Sequence, residues 1–340
     1  MHSAKVIVWM GSHCLLKLSA MKNETPWGLY LSELIGTALL LLLGLSFVIL
    51  DFGKGSFVVT AIPDAGLRRL ITGFLFGSTG AAIAYSRVGK VSGAHINPVV
   101  TLAFHIKGKL SARNAAGYIG AQFAGAVLGS IPLLIWGKRG TSVGYGVTTP
   151  GPGFTVWEAF LGEVVTTICL VVGLFTFLGH KRLRNYTPLL FPFLYAAMVY
   201  LEAQVSGTST NPARSFGPSV VSGIWFGWWI YFLGPLIGML IGLGIHRYSW
   251  LKKFEVEVAK IYHFEHDMYG VFKMGNNCDE QLFPPIGGNS KLETLNKSGN
   301  PKRKCSNPIL ARDRIRSLQI SIFEFGVLNL FRISSLQFRI

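Results

Sequence analysis

SGAHINPVVT (92–101) and SGTSTNPARS (206–215) are near-copies that set Asn97-Pro98-Val99 and Asn211-Pro212-Ala213 114 residues apart, each approached through Ser-Gly and each beside a long apolar segment. Asn is a strong helix N-cap because its side-chain oxygen takes an otherwise unpaired backbone N–H. Pro is well tolerated at the first helical position, where no N–H is needed. Asn-Pro in apolar surroundings therefore predicts a helix that starts inside a membrane, and two such starts predict two half-helices.

The rest of the chain supplies the membrane setting. Half of the 340 residues are hydrophobic, 14% are charged and the mean hydropathy is +0.42, too apolar for a soluble domain. Crossing a hydrocarbon core of roughly 30 Å takes about 20 helical residues. Apolar stretches of that order fall at about 29–50, 67–87, 113–136, 157–178, 187–206 and 224–246. Backbone polar groups cannot go unpaired in lipid, so these spans are expected to be α-helices. The Gly-rich stretches at 89–97 and 206–211 are expected to be buried in protein.

A net charge of +16 in a soluble protein would point to nucleic acid; here its distribution matters more, and no nucleic-acid partner is expected. With six spans, one side receives Lys5, Lys17, Lys22, Arg87, Lys90, Lys107, Lys109, Arg113, Lys181, Arg182, Arg184, Arg247, Lys252 and Lys253. The other receives Lys54, Arg68, Arg69, Lys138 and Arg139. The positive-inside rule then puts both termini in the cytoplasm of a multi-pass protein, with the plasma membrane as the expected location. Cys14, Cys169, Cys278 and Cys305 have no metal-ligand spacing and predict no disulfide framework. Residues 1–26 read as a cytoplasmic extension, in which Met21 is an alternative start to Met1, and residues 249–340 as a polar, poorly ordered cytoplasmic tail. The KRK run at 302–304 offers at most weak attraction to anionic lipid.

The two halves repeat one order. Glu33 lies in the first span, followed by a second span, the first Asn-Pro element and a third span; Glu163 then opens the same series again. With three spans per half, the second copy enters the bilayer inverted. Inverted repeats of this kind place a site near the midplane, where broken helices point their N-termini at each other. Carboxylates are costly in lipid, so Glu33 and Glu163 are expected to accept hydrogen bonds from the two non-helical loops.

This order of spans, with SGAHINPVVT and SGTSTNPARSFGPSVV, resembles the aquaporin, or major intrinsic protein, family over roughly residues 27–248. The resemblance implies an all-α membrane protein, a right-handed bundle of six transmembrane helices plus two re-entrant half-helices. It also implies a homotetramer with one pore per subunit and no cofactor. Asn97 and Asn211, with oxygens capping their own helices, are each left with an amide NH₂ to donate into the pore. The half-helix dipoles add positive potential there, which opposes cations and hydronium.

By resemblance Arg214 is a selectivity-filter arginine; a structural salt bridge to Glu202 is the alternative reading. Counting from the boxes adds Thr208 and Val199, the latter where water-selective members carry His. The second span offers Phe76, with Gly77 as the alternative because one extra residue separates Phe76 from His95. The carbonyls of Gly93, Ala94, His95, Gly207, Thr208 and Ser209 are expected to form a ladder of acceptors. The His95 ring is either a pore donor or a packed structural group. Val99 adds two methyl groups where the family has Ala, with an effect expected on half-helix fit or pore width.

The functional expectation is a passive channel for water, with small neutral solutes as passengers, that excludes ions and protons. Ser215 and Ser219 favour water, while Val199 and Gly77 favour a glycerol or small-solute facilitator. A membrane structural or adhesion protein with a closed pore is the reading from another class. No nucleophile-base pair, metal-ligand cluster or phosphate-cradling loop appears in the spans, so no enzyme is expected.

Overall fold

The computed structural model describes residues 25–254 and 256–262. The expectations for Met1 and Met21, for Lys5, Lys17 and Lys22, for Cys14, Cys278 and Cys305, and for the tail from residue 263 onward lie outside those residues.

Eight helices carry the architecture. The first half contributes α1 (Trp27–Phe52), α2 (Ala65–Tyr85), the short α3 (Pro98–Ile106) and α4 (Ala112–Ser130). The second contributes α5 (Val156–Gly179), α6 (Thr187–Glu202), the short α7 (Pro212–Ser222) and α8 (Ile230–Tyr248). Packing follows the repeat: α1 lies along α4 as α5 lies along α8, and α2 crosses its counterpart α6 between the halves. Each half-helix also reaches across, α3 to α8 and α7 to α4.

The chemistry of α1 shows why these helices suit lipid. One face buries Leu29, Glu33, Gly36, Leu41 and Gly44, while Leu31, Ile35, Leu39 and Leu43 stand exposed on the other. An apolar outer face with a polar group inside reverses the pattern of a soluble helix. At Gly125 and Gly129 of α4 an added Cβ would lie 2.3 Å from the Leu34 carbonyl oxygen and 2.2 Å from that of Ala38. Only glycine lets α1 and α4 come so close.

Trp27–Phe52, Ala112–Thr141, Val156–Gly179 and Ile230–Tyr248 are long and apolar enough to cross a membrane. The other two spans depart from the sequence expectation. α2 begins with Arg68 and Arg69 in its first turns, and α6 has 16 residues, a rise of about 24 Å. The apolar run at 224–229 is turn, not helix: Gly227 has φ +66°, and α8 starts at Ile230. Likewise α4 stops at Ser130 and a 3₁₀ segment, Ile131–Trp136, follows, because Pro132 has no N–H to continue the α-helical ladder.

Candidate pore

The two loops before α3 and α7 have the same unusual backbone. Gly93, Ala94 and Ile96 have φ of +87°, +56° and +42°; Gly207, Thr208 and Thr210 have +89°, +50° and +52°. Left-handed backbone costs about 1–3 kcal/mol at a non-glycine residue and is rarest for β-branched ones such as Ile96, so the surroundings must enforce it. Glu33 does so for the first loop. It accepts the backbone N–H of His95 at 2.9 Å and of Ile96 at 2.7 Å, the Ser92 hydroxyl at 2.6 Å and the Gln122 amide at 2.7 Å. Glu163 repeats the arrangement, accepting from Ser209 N at 2.7 Å, Thr210 N at 2.8 Å and the Ser206 hydroxyl at 2.7 Å. A third matched pair closes the set: Tyr118 donates to the Ser92 carbonyl at 2.7 Å and Tyr231 to the Ser206 carbonyl at 2.8 Å.

Each Asn caps its own half-helix. Asn97 Oδ1 accepts from Val99 N at 2.9 Å, and Asn211 Oδ1 from Ala213 N at 3.0 Å and Arg214 N at 3.4 Å. The amide groups, however, are not wholly free as the sequence reading has them. Asn97 Nδ2 donates to the Thr210 carbonyl and Asn211 Nδ2 to the Ile96 carbonyl, both at 3.0 Å. An amide NH₂ carries two hydrogens, so each Asn has one left for a passing oxygen. The two N-termini, Pro98 and Pro212 first, are thereby tied to one point, and both bring positive dipole ends there.

Two cavities flank this junction. The larger, about 330 Å³, is lined by Phe76, Val199, Gly207, Thr208 and Arg214. Arg214 is buried, donates to the Gly146 carbonyl at 2.7 Å and holds its guanidinium carbon 5.8 Å from the Phe76 ring centre. Among the described residues it makes no ion pair with Glu202, whose carboxylate instead accepts the Thr208 hydroxyl. Gly77 has another setting: a Cβ there would lie 2.4 Å from the Phe191 carbonyl oxygen, so it serves the crossing of α2 with α6.

The smaller cavity, about 50 Å³, is lined by Gly77, Ala94, His95, Asn97, Ser209 and Asn211 among others. Phe76 and Tyr195 line both cavities, with ring centres 6.1 Å apart, and so stand between them. The Tyr195 hydroxyl is fixed on Thr210 Oγ1 at 2.8 Å. Sequence reasoning missed Tyr195, which lies one helical turn before Val199 on the same face of α6. The four-residue spacing was a signal that could have found it.

The His95 ring is engaged on every side. Nε2 lies 3.0 Å from the Ala259 carbonyl oxygen, Nδ1 lies 3.2 Å from Thr101 Oγ1, and the ring stacks on Phe104 at 4.6 Å. A carbonyl can only accept, so Nε2 carries a hydrogen. The Gly93 carbonyl, expected in the acceptor ladder, accepts Ile261 N at 3.0 Å. Residues 256–262, which the sequence reading puts in the tail, therefore pack against the first loop, and Ile261 lines the inner cavity. Val99 is buried in the cluster with Ala103, Phe104 and Leu170, and it is Val100 that lines the inner cavity. Ala213 is buried in the other cluster, with Leu41 and Ala126.

The sequence pattern of the family described as Major intrinsic protein matches residues 20–246. The chain is 30% identical over 244 residues to Aquaporin AqpM of Methanothermobacter marburgensis, covering 64% of this chain and 95% of that protein. It is 35% identical over 171 residues to Aquaporin-4 of Dipodomys merriami, and in that alignment spans about half of each, 50% of this chain and 53% of the relative. The X-ray structure of the aquaglyceroporin from Plasmodium falciparum superposes with a TM-score of 0.54 at 18% identity, covering 66% of this chain and 97% of that one, a likeness of fold. Two capped half-helices meeting inside a six-span bundle, with a family match over residues 20–246 and a relative covered almost end to end, place this chain in the major intrinsic protein family.

Proposed function

We propose that the chain is a passive channel that conducts water, admits small neutral solutes and excludes ions and protons. The observation that carries the reading is the junction of α3 and α7. Two helix N-termini meet there, and Asn97 and Asn211, each with one amide hydrogen uncommitted, line the inner cavity, which shares Phe76 and Tyr195 with the outer one. A water oxygen passing that point meets donors only, which turns its hydrogens outward and breaks a proton-conducting chain of waters. Arg214 adds a fixed positive charge in the wider cavity and repels cations. Phe76, Val199, Thr208 and Arg214 form the outer filter in this reading, and the carbonyls at Ala94, His95, Gly207 and Ser209 supply acceptors.

Solute size is set below that filter. Val199 leaves the outer cavity wide, and Phe76 with Tyr195 makes the narrow step toward Asn97 and Asn211. The wide cavity is the observation that favours glycerol or a similar solute as an alternative cargo; the aromatic step favours water. Stopped-flow shrinkage of proteoliposomes in sucrose and then in glycerol decides between them. Water flux above that of empty vesicles supports the channel, and its absence in sucrose defeats the water reading.

The lipid bilayer is the partner that the exposed apolar face of α1 fits. Both termini in the cytoplasm of a plasma-membrane homotetramer is the arrangement we infer from the loop charges and the family; cross-linking of the purified protein in detergent tests the tetramer.

A further inference from the structure

One wall of the inner cavity is supplied by the chain beyond α8, at Ile261. Residues 256–262 pass beneath the first loop with bends at 258–262, and two of their backbone groups bond to that loop. Ile261 N donates to the Gly93 carbonyl, and the Ala259 carbonyl accepts from His95 Nε2, both at 3.0 Å. Ala259 is completely buried, and Ile261 forms part of the inner cavity wall together with Asn97 and Asn211. The fit is close: a Cβ on Gly93 would lie 2.8 Å from the Ala259 oxygen. Further contacts that hold the segment to the bundle include the Tyr262 ring, 4.9 Å from that of Tyr85 at the end of α2, and Glu257 paired with Arg184 at 3.0 Å. The Glu257 side chain is 62% exposed, so this pair adds little holding strength.

A tail that merely rested on the bundle would take its bonds from helix ends. This one takes the Gly93 carbonyl, the first of the expected acceptor ladder, and a ring nitrogen of His95, which lines the inner cavity. We propose that residues 256–262 are an autoinhibitory plug that closes the inner cavity in most copies at any moment, leaving the wild type a reduced but measurable flux. The proposal rests on the reading of the two cavities as a conduction path. Val256, Ala259 and Ile261 are buried in the core cluster with Phe104 and Leu174, so withdrawal gives up that burial together with the hydrogen bonds, and a substitution that weakens the burial shifts the balance.

The test is stopped-flow water flux through the full chain in proteoliposomes, comparing wild type with Ala259→Asp/Ile261→Asp. Seating two carboxylates in an apolar site without partners is costly, so the open population and the flux are expected to rise roughly fivefold. A wild type faster than empty vesicles with an equally fast variant overturns the plug and leaves the channel intact. Flux no faster than empty vesicles in both overturns the plug and the water-channel reading together. If the double variant does not assemble, Ile261→Ala serves in its place, since it shortens the side chain in the cavity wall without adding charge. A gain of about twofold is then expected, and an unchanged rate overturns the proposal.

Discussion

Asn97 donates to the carbonyl of Thr210, the residue immediately before Asn211, and Asn211 donates to the carbonyl of Ile96, the residue immediately before Asn97. Each half of the repeat thus holds the other half's loop in place by the same bond at the same length. Asn97→Asp keeps the cap oxygen but takes the donor from Thr210. It is expected to destabilise the folded protein by about 1–3 kcal/mol, read as a lower melting point in detergent. Asn211→Asp should cost a matching amount; a loss confined to one of the two contradicts the reciprocal brace.

The two carboxylates differ in how replaceable they are. Both Glu33 oxygens face two donors, whereas Glu163 Oε2 faces Thr210 N alone. A Gln at 163 can turn its NH₂ toward Thr210 and lose one bond, but a Gln at 33 orphans two donors in either orientation. At about 1–3 kcal/mol per orphaned donor, Glu33→Gln is expected to lower the melting point by clearly more than Glu163→Gln.

Tyr195→Val opens the step between the cavities without touching Arg214 or either Asn. The ratio of glycerol to water permeability is expected to rise roughly tenfold, as pore diameter controls solute entry. Val199→His changes only the outer cavity and should leave that ratio nearly unchanged; the opposite ranking would put the size limit at the outer filter.

Arg214→Ala removes the buried charge of the wide cavity. Proton entry into vesicles, followed with a pH-sensitive dye under a pH gradient, is expected to increase by roughly tenfold or more while water flux persists. Proton tightness equal to wild type would assign the exclusion to the half-helix dipoles alone.

Val99→Ala deletes two buried methyl groups from the cluster around Phe104 and Leu170. A loss of about 2 kcal/mol in stability is expected, with water flux unchanged because Val100 lines the inner cavity. A change in flux would mean that the methyl groups set the pore width.

What could be read from the sequence depended on how local the physics was. The starts of α3 and α7 are legible because an Asn cap and a Pro at the first position act within a few residues, and the membrane class follows from composition. The second partner of each Asn amide was not legible: that carbonyl lies more than a hundred residues away, and nothing in the Asn-Pro box specifies it. The pairing of Tyr118 with Ser92 and Tyr231 with Ser206 was hidden for the same reason, although each Tyr sits in the long helix that follows its half-helix. Helix ends were least legible. An apolar run such as 224–229 looks like span until Gly227 takes a left-handed turn. The segment 256–262 carries no motif at all; its place is fixed by the fit of Ala259 under Gly93 and by bonds to Gly93 and His95, which are remote in sequence.

The reciprocal bond between the two loops also dictates an order of assembly. When α1 to α4 have left the ribosome, the His95 and Ile96 N–H groups have Glu33 to bind, but the partners of the Asn97 amide and the Ile96 carbonyl have yet to be synthesised. A nascent first half is therefore an unfinished insertion intermediate with a strained loop, and it becomes a closed wall only once Thr210 and Asn211 arrive.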